Sequence, residues 1–544
     1  MIEFIIINFI TSLSILGYAA IYKQIIYLKS EKLQNIDFIY GLIFIYFISQ
    51  IFHFFSPLKY FVNIILVLGL IYFILYFYFK KISFSLIKFF FVLLLVTFFT
   101  YYTNDNVDGP LYHLQILSWL QDYKLTFGIA NLENRFGSNY PWHSIIAILS
   151  YENGSFSNKH YIISLILVFI VYEVVSNKKN LLSNLFLFSS LSYLFLFSLI
   201  HPFNYGTILN HFGNTEKDIF NMLIFFFSIF IFLRIIETKK NESHEINRLL
   251  NLLFAFSAIL LMQSPQYFFL IFLVLFFYIK KKEYKLLNLH LVFLFLIFLL
   301  WLVKSLVISG CLIFPHSFTC FDFDWSLNKD SVDFLMSELK RHNRSLPSKA
   351  LINDIAIVLH PFKWIIPWFK DYYLTTFLHQ INSLIYILFI LLFIFLKKLR
   401  LNIDLNIIFL IITLFLVNLT CFIAPEIRYA WGPHISLSSL MISLLLINLN
   451  LSKVKNIQFA PLVIFFMFLL FKISPKFEIS HLYLKPVRTY DFSKKEFVGN
   501  FDGYNIFYNH WKCADLKDIC INVKRKNFRF VDKANFTFIS RIKN

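Results

Sequence analysis

Residues 89–113 read FFFVLLLVTFFTYYTNDNVDGPLYH. The run carries no charge from Phe89 to Asn104 and then meets Asp105 and Asp108. An uncharged apolar stretch of that kind suits a bilayer core, which a helix crosses with about 20 residues. The abrupt change to carboxylates places Asp105 and Asp108 at the membrane surface.

The same pattern recurs on both sides, from Ile2 nearly to Pro475. The chain is 58% hydrophobic, with 72 Phe and 30 Tyr among 544 residues, more apolar surface than a soluble core hides. The runs are continuous rather than alternating, which excludes a membrane β-barrel. The expected fold is therefore an all-α polytopic membrane protein of about 14 transmembrane helices.

Basic residues orient it by the positive-inside rule. Lys23, Lys29 and Lys32, Lys80 and Lys81, Lys178 and Lys179, Lys239 and Lys240, Lys280 to Lys282, Lys397 to Arg400, and Lys453 and Lys455 mark cytoplasmic turns. The stretch 104–157 holds only Lys124 and Arg135 against Asp105, Asp108, Asp122, Glu133 and Glu152, so it is expected outside. The first span lacks a basic leader and a small-residue cleavage site, and reads as a helix, not a removable signal. Residues 1–83 form N-terminal helices and 84–474 a core with outer loops 104–157 and 309–376. Residues 475–544 form an outer tail.

That tail has 14 Lys or Arg against 7 Asp or Glu. Its runs Tyr504–Tyr508 and Phe528–Val531 look strand-like, so a small β-containing or α/β cap is expected, its charge suited to anionic headgroups. Cys311 and Cys320 share one outer loop, and Cys513 and Cys520 share the tail. Two close pairs on an oxidising side read as disulfides, each worth roughly 2–3 kcal/mol. Pairing across the two segments is the alternative connectivity, and four unrelated thiols the plain one.

The loop after Asp108 reads as a helix. Leu111, Leu114, Leu117 and Leu120 line one side; His113, Gln115, Ser118, Gln121 and Asp122 line the other, with Pro110 suited to the first position. An interfacial amphipathic helix follows, with Asp108 just before its N-terminus, where the helix dipole favours the ionised carboxylate. Such a group is a reasonable general base for a hydroxyl near the lipid surface. A simple capping and solvating role is the bland reading of Asp105 and Asp108.

A second candidate is the turn 425–434. Glu426 and Arg428 stand at the membrane boundary, where charge is costly without a partner or cavity. Arg428 either grips a phosphate through its planar fork, pairs with Glu426, or snorkels beside Tyr429 and Trp431. Arg135 and His113 are further candidates for facing an anion. His360 to Trp364 and Arg341 to Arg344 read mainly as loop surface, Lys304 as a snorkelling residue, and Gln263 and Gln266 as a locally satisfied pair. No Gly-rich phosphate loop, zinc spacing or serine-nucleophile motif occurs, so ATP hydrolysis is not suggested.

The order of a span, a surface Asp and then Tyr112-His113 opening a helix resembles the first outer loop of GT-C fold glycosyltransferases. The stretches Asn131–Trp142 and Ser309–Pro315, with the paired tail cysteines, resemble uncharacterised LIC_10190-like bacterial membrane proteins, a group related to those enzymes. The first three spans depart from the GT-C pattern.

The resemblance implies transfer of a sugar from a polyprenyl-phosphate donor to an envelope glycan or lipid acceptor. It makes Asp108 the catalytic base, Asp105 a second acid, and Arg428 the donor-phosphate residue. A divalent cation, Mg²⁺ or Mn²⁺, would draw on Asp105 and Asp108, fewer oxygens than such ions want. No other cofactor and no nucleic-acid partner is expected. A phosphate already leaves well, so one carboxylate and one or more cations suffice for an inverting displacement. The rival readings are an O-antigen polymerase or ligase, which would rely on cations such as Lys340–Arg344, and a transporter or flippase. Spans poor in buried acids, with no visible repeat, disfavour the last.

Overall fold

The computed structural model describes residues 2–27, 32–79, 82–101, 112–153, 156–176, 180–200, 215–239, 242–281, 287–345, 355–370, 405–421, 427–448, 496–501, 504–508, 519–521, 528–533 and 536–541. Helices dominate: α1 (Ile2–Tyr27), α2 (Phe38–Phe55), α3 (Val62–Phe79), α4 (Leu86–Tyr101), α5 (Leu114–Asp122), α6 (Pro141–Leu149) and α7 (Ile162–Ser176). Then come α8 (Leu181–Ile200), α9 (Lys217–Glu237), α10 (Ser243–Gln263), α11 (Phe268–Lys281), α12 (Leu287–Ser309) and α13 (Lys329–Ser345). The last long helices are Leu405–Cys421 and Ile427–Asn448.

Seven helices among the described residues are long and apolar enough to cross a membrane: Ile2–Ile26, Asn35–Phe55, Leu58–Phe79, Lys217–Glu237, Ser243–Gln263, Leu289–Ser309 and Arg428–Ile447. Their surfaces agree with a membrane setting. On α3, Ile64, Val67, Leu68, Ile71, Ile74, Leu75 and Tyr78 are exposed at helical spacing, a stripe that acyl chains can cover and water would not. By contrast α9 is buried on every side. Its Phe227 stacks on Phe256 of α10 with ring centroids 5.5 Å apart, and lies 5.0 Å from Phe38, which stacks on Phe169 of α7. Offset aromatic pairs of this kind add specific geometry to the area they bury.

Where α1 crosses α3, the helices meet at Gly17 and Gly69. A Cβ on Gly17 would strike the Gly69 carbonyl, and one on Gly69 would strike the Ser14 side chain. Only hydrogen fits there, the small-residue packing that lets apolar helices approach closely.

One end of the bundle is tied by a buried charge network. Asp37 accepts from Lys23 at 2.8 Å and from Arg248 at 3.2 Å; Arg248 also bonds Glu245 at 2.8 Å. Arg234 bridges Glu245 at 3.3 Å and Glu173 at 3.2 Å, and Asn35 Nδ2 donates to Glu173. Three cations face three carboxylates, so α1, α2, α7, α9 and α10 are joined with the charges balanced.

The opposite end carries the loops. Gly128 has φ +69°, and a Cβ there would collide with the carbonyls of Trp325 and Ile539, so the left-handed turn and the close approach both call for glycine. Around it, Gly128 N–H donates to Val307 O, Ile539 N–H donates to Phe127 O, and Asn131 Nδ2 donates to Trp325 O and Ile539 O. Three segments distant in sequence therefore converge on residues 127–131. Cys311 and Cys320 are disulfide-bonded in the loop after α12.

The described strands are short. β1 (Glu152–Asn153) pairs with β2 (Phe156–Ser157). In the tail, β3 (Glu496–Phe501), β4 (Tyr504–Tyr508) and β5 (Ile519–Ile521) form one sheet, while β6 (Phe528–Lys533) and β7 (Phe536–Arg541) form an antiparallel hairpin. Cys513 lies outside the described residues, and its expected pairing with Cys520 with it.

Candidate functional site

The helix after the first candidate carboxylates is not a surface helix with a wet side. His113, just before α5, and Gln115 and Gln121 within it are buried along with Leu114, Leu117 and Trp119. The polar face turns inward because α6 meets it with polar partners of its own. His113 Nδ1 lies 2.9 Å from His143 Nε2, and Gln121 Nε2 donates to Ala147 O at 3.3 Å. Asp122 at the far end does reach solvent, paired with Lys59 at 2.8 Å.

Around the two histidines runs a series of neighbouring cations and rings. The Arg135 guanidinium sits 5.1 Å from the Tyr112 ring centre, and Tyr112 lies against His113. On the other side Tyr140 lies against His143, and Lys217 stands 3.8 Å over the Tyr140 ring. Adjacent to Lys217 in the chain, the buried Glu216 faces Arg428 at 3.9 Å. Such contacts place Arg135, His113 and Arg428 in one connected region, as cation–π and charge pairing allow.

Burial, with His113, Lys217 and Lys304 nearby, holds the His143 pKa well below the usual 6.5. A histidine neutral in the fold and protonated once unfolded stabilises the protein above about pH 6.5, and that contribution is lost as pH falls below it. The thermal midpoint of the purified protein should therefore drop on acidification below about pH 6.5. His143→Gln should flatten part of that slope, and an unchanged profile in the variant would show that His143 is not its source.

Beneath α5 is a cavity of about 40 Å³ between α2, α5, α6 and α12. Lys304 lines it and does not snorkel: the residue is 3% exposed and its ammonium donates to Ser144 Oγ at 3.0 Å. The reason is the wall it sits on. Leu289, Val292, Phe295, Leu296, Leu299 and Val303 form the exposed face of α12, and Lys304 falls on the opposite, packed face. His53, buried at the end of α2, also lines the cavity and has its Nε2 3.2 Å from Tyr123 O.

Asp105, Asp108 and Glu426 lie outside the described residues. Among the described residues no group of three or more metal-ligating side chains occurs. Arg341 bonds Glu338 at 2.7 Å, and Arg344 donates to Val358 O and covers the Trp364 ring, so both are engaged in local structure. His360 Nδ1 accepts from the Phe362 and Lys363 N–H groups, and Gln266 Nε2 donates to Tyr429 O rather than to Gln263.

The stretch Asn131–Trp142 is a structural hub. Asn139 exchanges two hydrogen bonds with Trp301 of α12, at 2.8 and 2.7 Å, and Trp142 stacks on Phe220. Sequence reading missed His53, His143 and Ser144. A signal existed for His143, which stands just after the Asn139-Tyr140-Pro141-Trp142 run.

A family model described as "Domain of unknown function (DUF8201)" matches residues 1–435. No curated protein and no solved structure matches the chain.

Proposed function

We propose that this chain, which belongs to the DUF8201 family, is a membrane glycosyltransferase that moves a sugar from a polyprenyl-phosphate donor to an envelope glycan or lipid acceptor. The described spans are then part of a set of about 14, with the loop end facing outward from a bacterial cytoplasmic membrane. One observation carries the reading. The segment that follows Asp108 opens directly into a connected group of Arg135, His113, His143, Lys217 and, through Glu216, Arg428. Three residues separate Asp108 from Tyr112, and the four steps between them span at most about 14 Å when extended. A carboxylate close to Arg135 and His113, with Lys217 and Arg428 further along the same series of contacts, meets the needs of displacement at a glycosyl phosphate.

In that reaction Asp108 accepts the proton of the acceptor hydroxyl as its oxygen attacks the anomeric carbon. The bond from that carbon to the phosphate oxygen breaks, its electron pair leaves on the polyprenyl phosphate, and the anomeric configuration inverts. Arg428, with Arg135 and His113 as further donors, stabilises the departing phosphate.

Arg428→Lys tests the donor side. It keeps the charge and loses the planar fork, so donor KM should rise while acceptor KM stays near the parent value, and Arg428→Ala should be worse. Arg428→Lys kinetics indistinguishable from the parent would assign Arg428 to anchoring, with Arg135 the better phosphate residue.

A further inference from the structure

We propose that the cavity between α2, α5, α6 and α12 is an oxyanion subsite of the phosphate class, built on the buried ammonium of Lys304. Lys304 is 97% buried, being 3% exposed, and its one hydrogen bond is to the neutral hydroxyl of Ser144. Among the described residues no carboxylate pairs with it. An ammonium has three N–H donors, and an unpaired charge in such surroundings is costly. The network at the other end of the bundle shows how this chain treats buried cations when they are structural: Lys23, Arg234 and Arg248 each have carboxylate partners.

Lys304 instead faces a cavity whose other polar walls include His53, His143, Thr126, Tyr140 and Ser144. His53 Nδ1 and His143 Nδ1 have no hydrogen-bond partner among the described residues. The space of about 40 Å³ exceeds the roughly 10–15 Å³ that a single water centre needs, so it holds several water-sized atoms, as a tetrahedral oxyanion presents. Arg135, His113 and Arg428 do not line it, so its cation is distinct from the donor residues proposed above, and His143 stands between the two. Burial and charge define this subsite independently of sugar transfer.

The test uses the full-length protein in detergent at constant ionic strength, with its thermal midpoint read against inorganic phosphate, a polyprenyl monophosphate, the matching polyprenol without phosphate, and sodium chloride. The parent should be stabilised by a phosphate-bearing probe and not by the polyprenol or chloride. A response to inorganic phosphate identifies a free anion as sufficient; a response to the polyprenyl phosphate alone identifies a lipid headgroup.

Lys304→Met should weaken that binding by about 10- to 100-fold, the range for losing a charge-assisted hydrogen bond. The unliganded variant should be at least as stable as the parent, because an uncompensated buried charge is gone. Lys304→Gln should behave alike in binding. No phosphate-dependent shift in the parent, an equal shift in Lys304→Met, or an equal shift with polyprenol overturns the proposal. So does failure of both variants to fold, which would make the ammonium a structural group. Phosphate binding without sugar transfer would defeat only the proposed reaction; transfer without Lys304-dependent binding would defeat only this inference.

Discussion

Asp108→Asn should lower sugar transfer by about 10²-fold or more while leaving membrane insertion and the thermal midpoint near those of the parent. The substitution keeps the shape of the side chain and removes its capacity to take a proton, and a positioned general base typically contributes 10²–10⁴-fold. The fall should appear in kcat, because proton removal matters as the acceptor oxygen attacks and not as the donor binds. Asp105→Asn should cost less than Asp108→Asn. Equal losses that a chelator reproduces in the parent would instead indicate a divalent cation held by both carboxylates. Purified Asp108→Asn protein with full transfer activity would remove Asp108 from the mechanism.

The second large effect belongs to stability. Asp37→Asn leaves Lys23 and Arg248 without the carboxylate that both engage, at 2.8 and 3.2 Å, in a region closed to water. Breaking a buried pair from one side generally costs about 3–5 kcal/mol, since the stranded charge and not the lost attraction dominates. Here one carboxylate serves two cations, so the upper part of that range is expected. Adding Lys23→Met to Asp37→Asn should recover part of the loss by removing the cation that loses its carboxylate, since Arg248 keeps Glu245. Equilibrium unfolding of the detergent-solubilised variants measures both. A loss below about 1 kcal/mol in Asp37→Asn would mean that the network relaxes around water and contributes little.

The two sites differ in how legible they are in the sequence. The spans were readable because a lipid-facing helix must be apolar over its length, as in 58–79, whatever it packs against. Facing was harder. Lys304 lies near the end of a span, where a window of hydropathy gives the same value whether its ammonium snorkels or turns inward toward Ser144. Likewise the polar side of α5 reads as a wet face until α6 presents His143 and the Ala147 carbonyl to it. The charge network was hidden for a different reason. Lys23 served as an orientation marker, but its partner Asp37 stands at the start of α2 and Arg248, which shares that carboxylate, on α10, and long-range pairing leaves no local spacing. Cys311 and Cys320 were legible because nine residues apart is already within reach of a bridge.

The junction at Gly128 also bears on the order in which the protein is made. Asn131 donates to the carbonyl of Ile539, 408 residues later, and Phe127 receives the N–H of the same residue. A ribosome adds roughly 5–20 residues each second, so tens of seconds pass between synthesis of the two partners. Throughout that interval the first loop exists without β7, and Asn131 and Phe127 lack the two hydrogen bonds that Ile539 brings, although Asn131 can already reach Trp325 O. The site end of the bundle is therefore completed late, after the spans have been inserted, and a nascent chain arrested before residue 536 should carry its helices in place and this junction open.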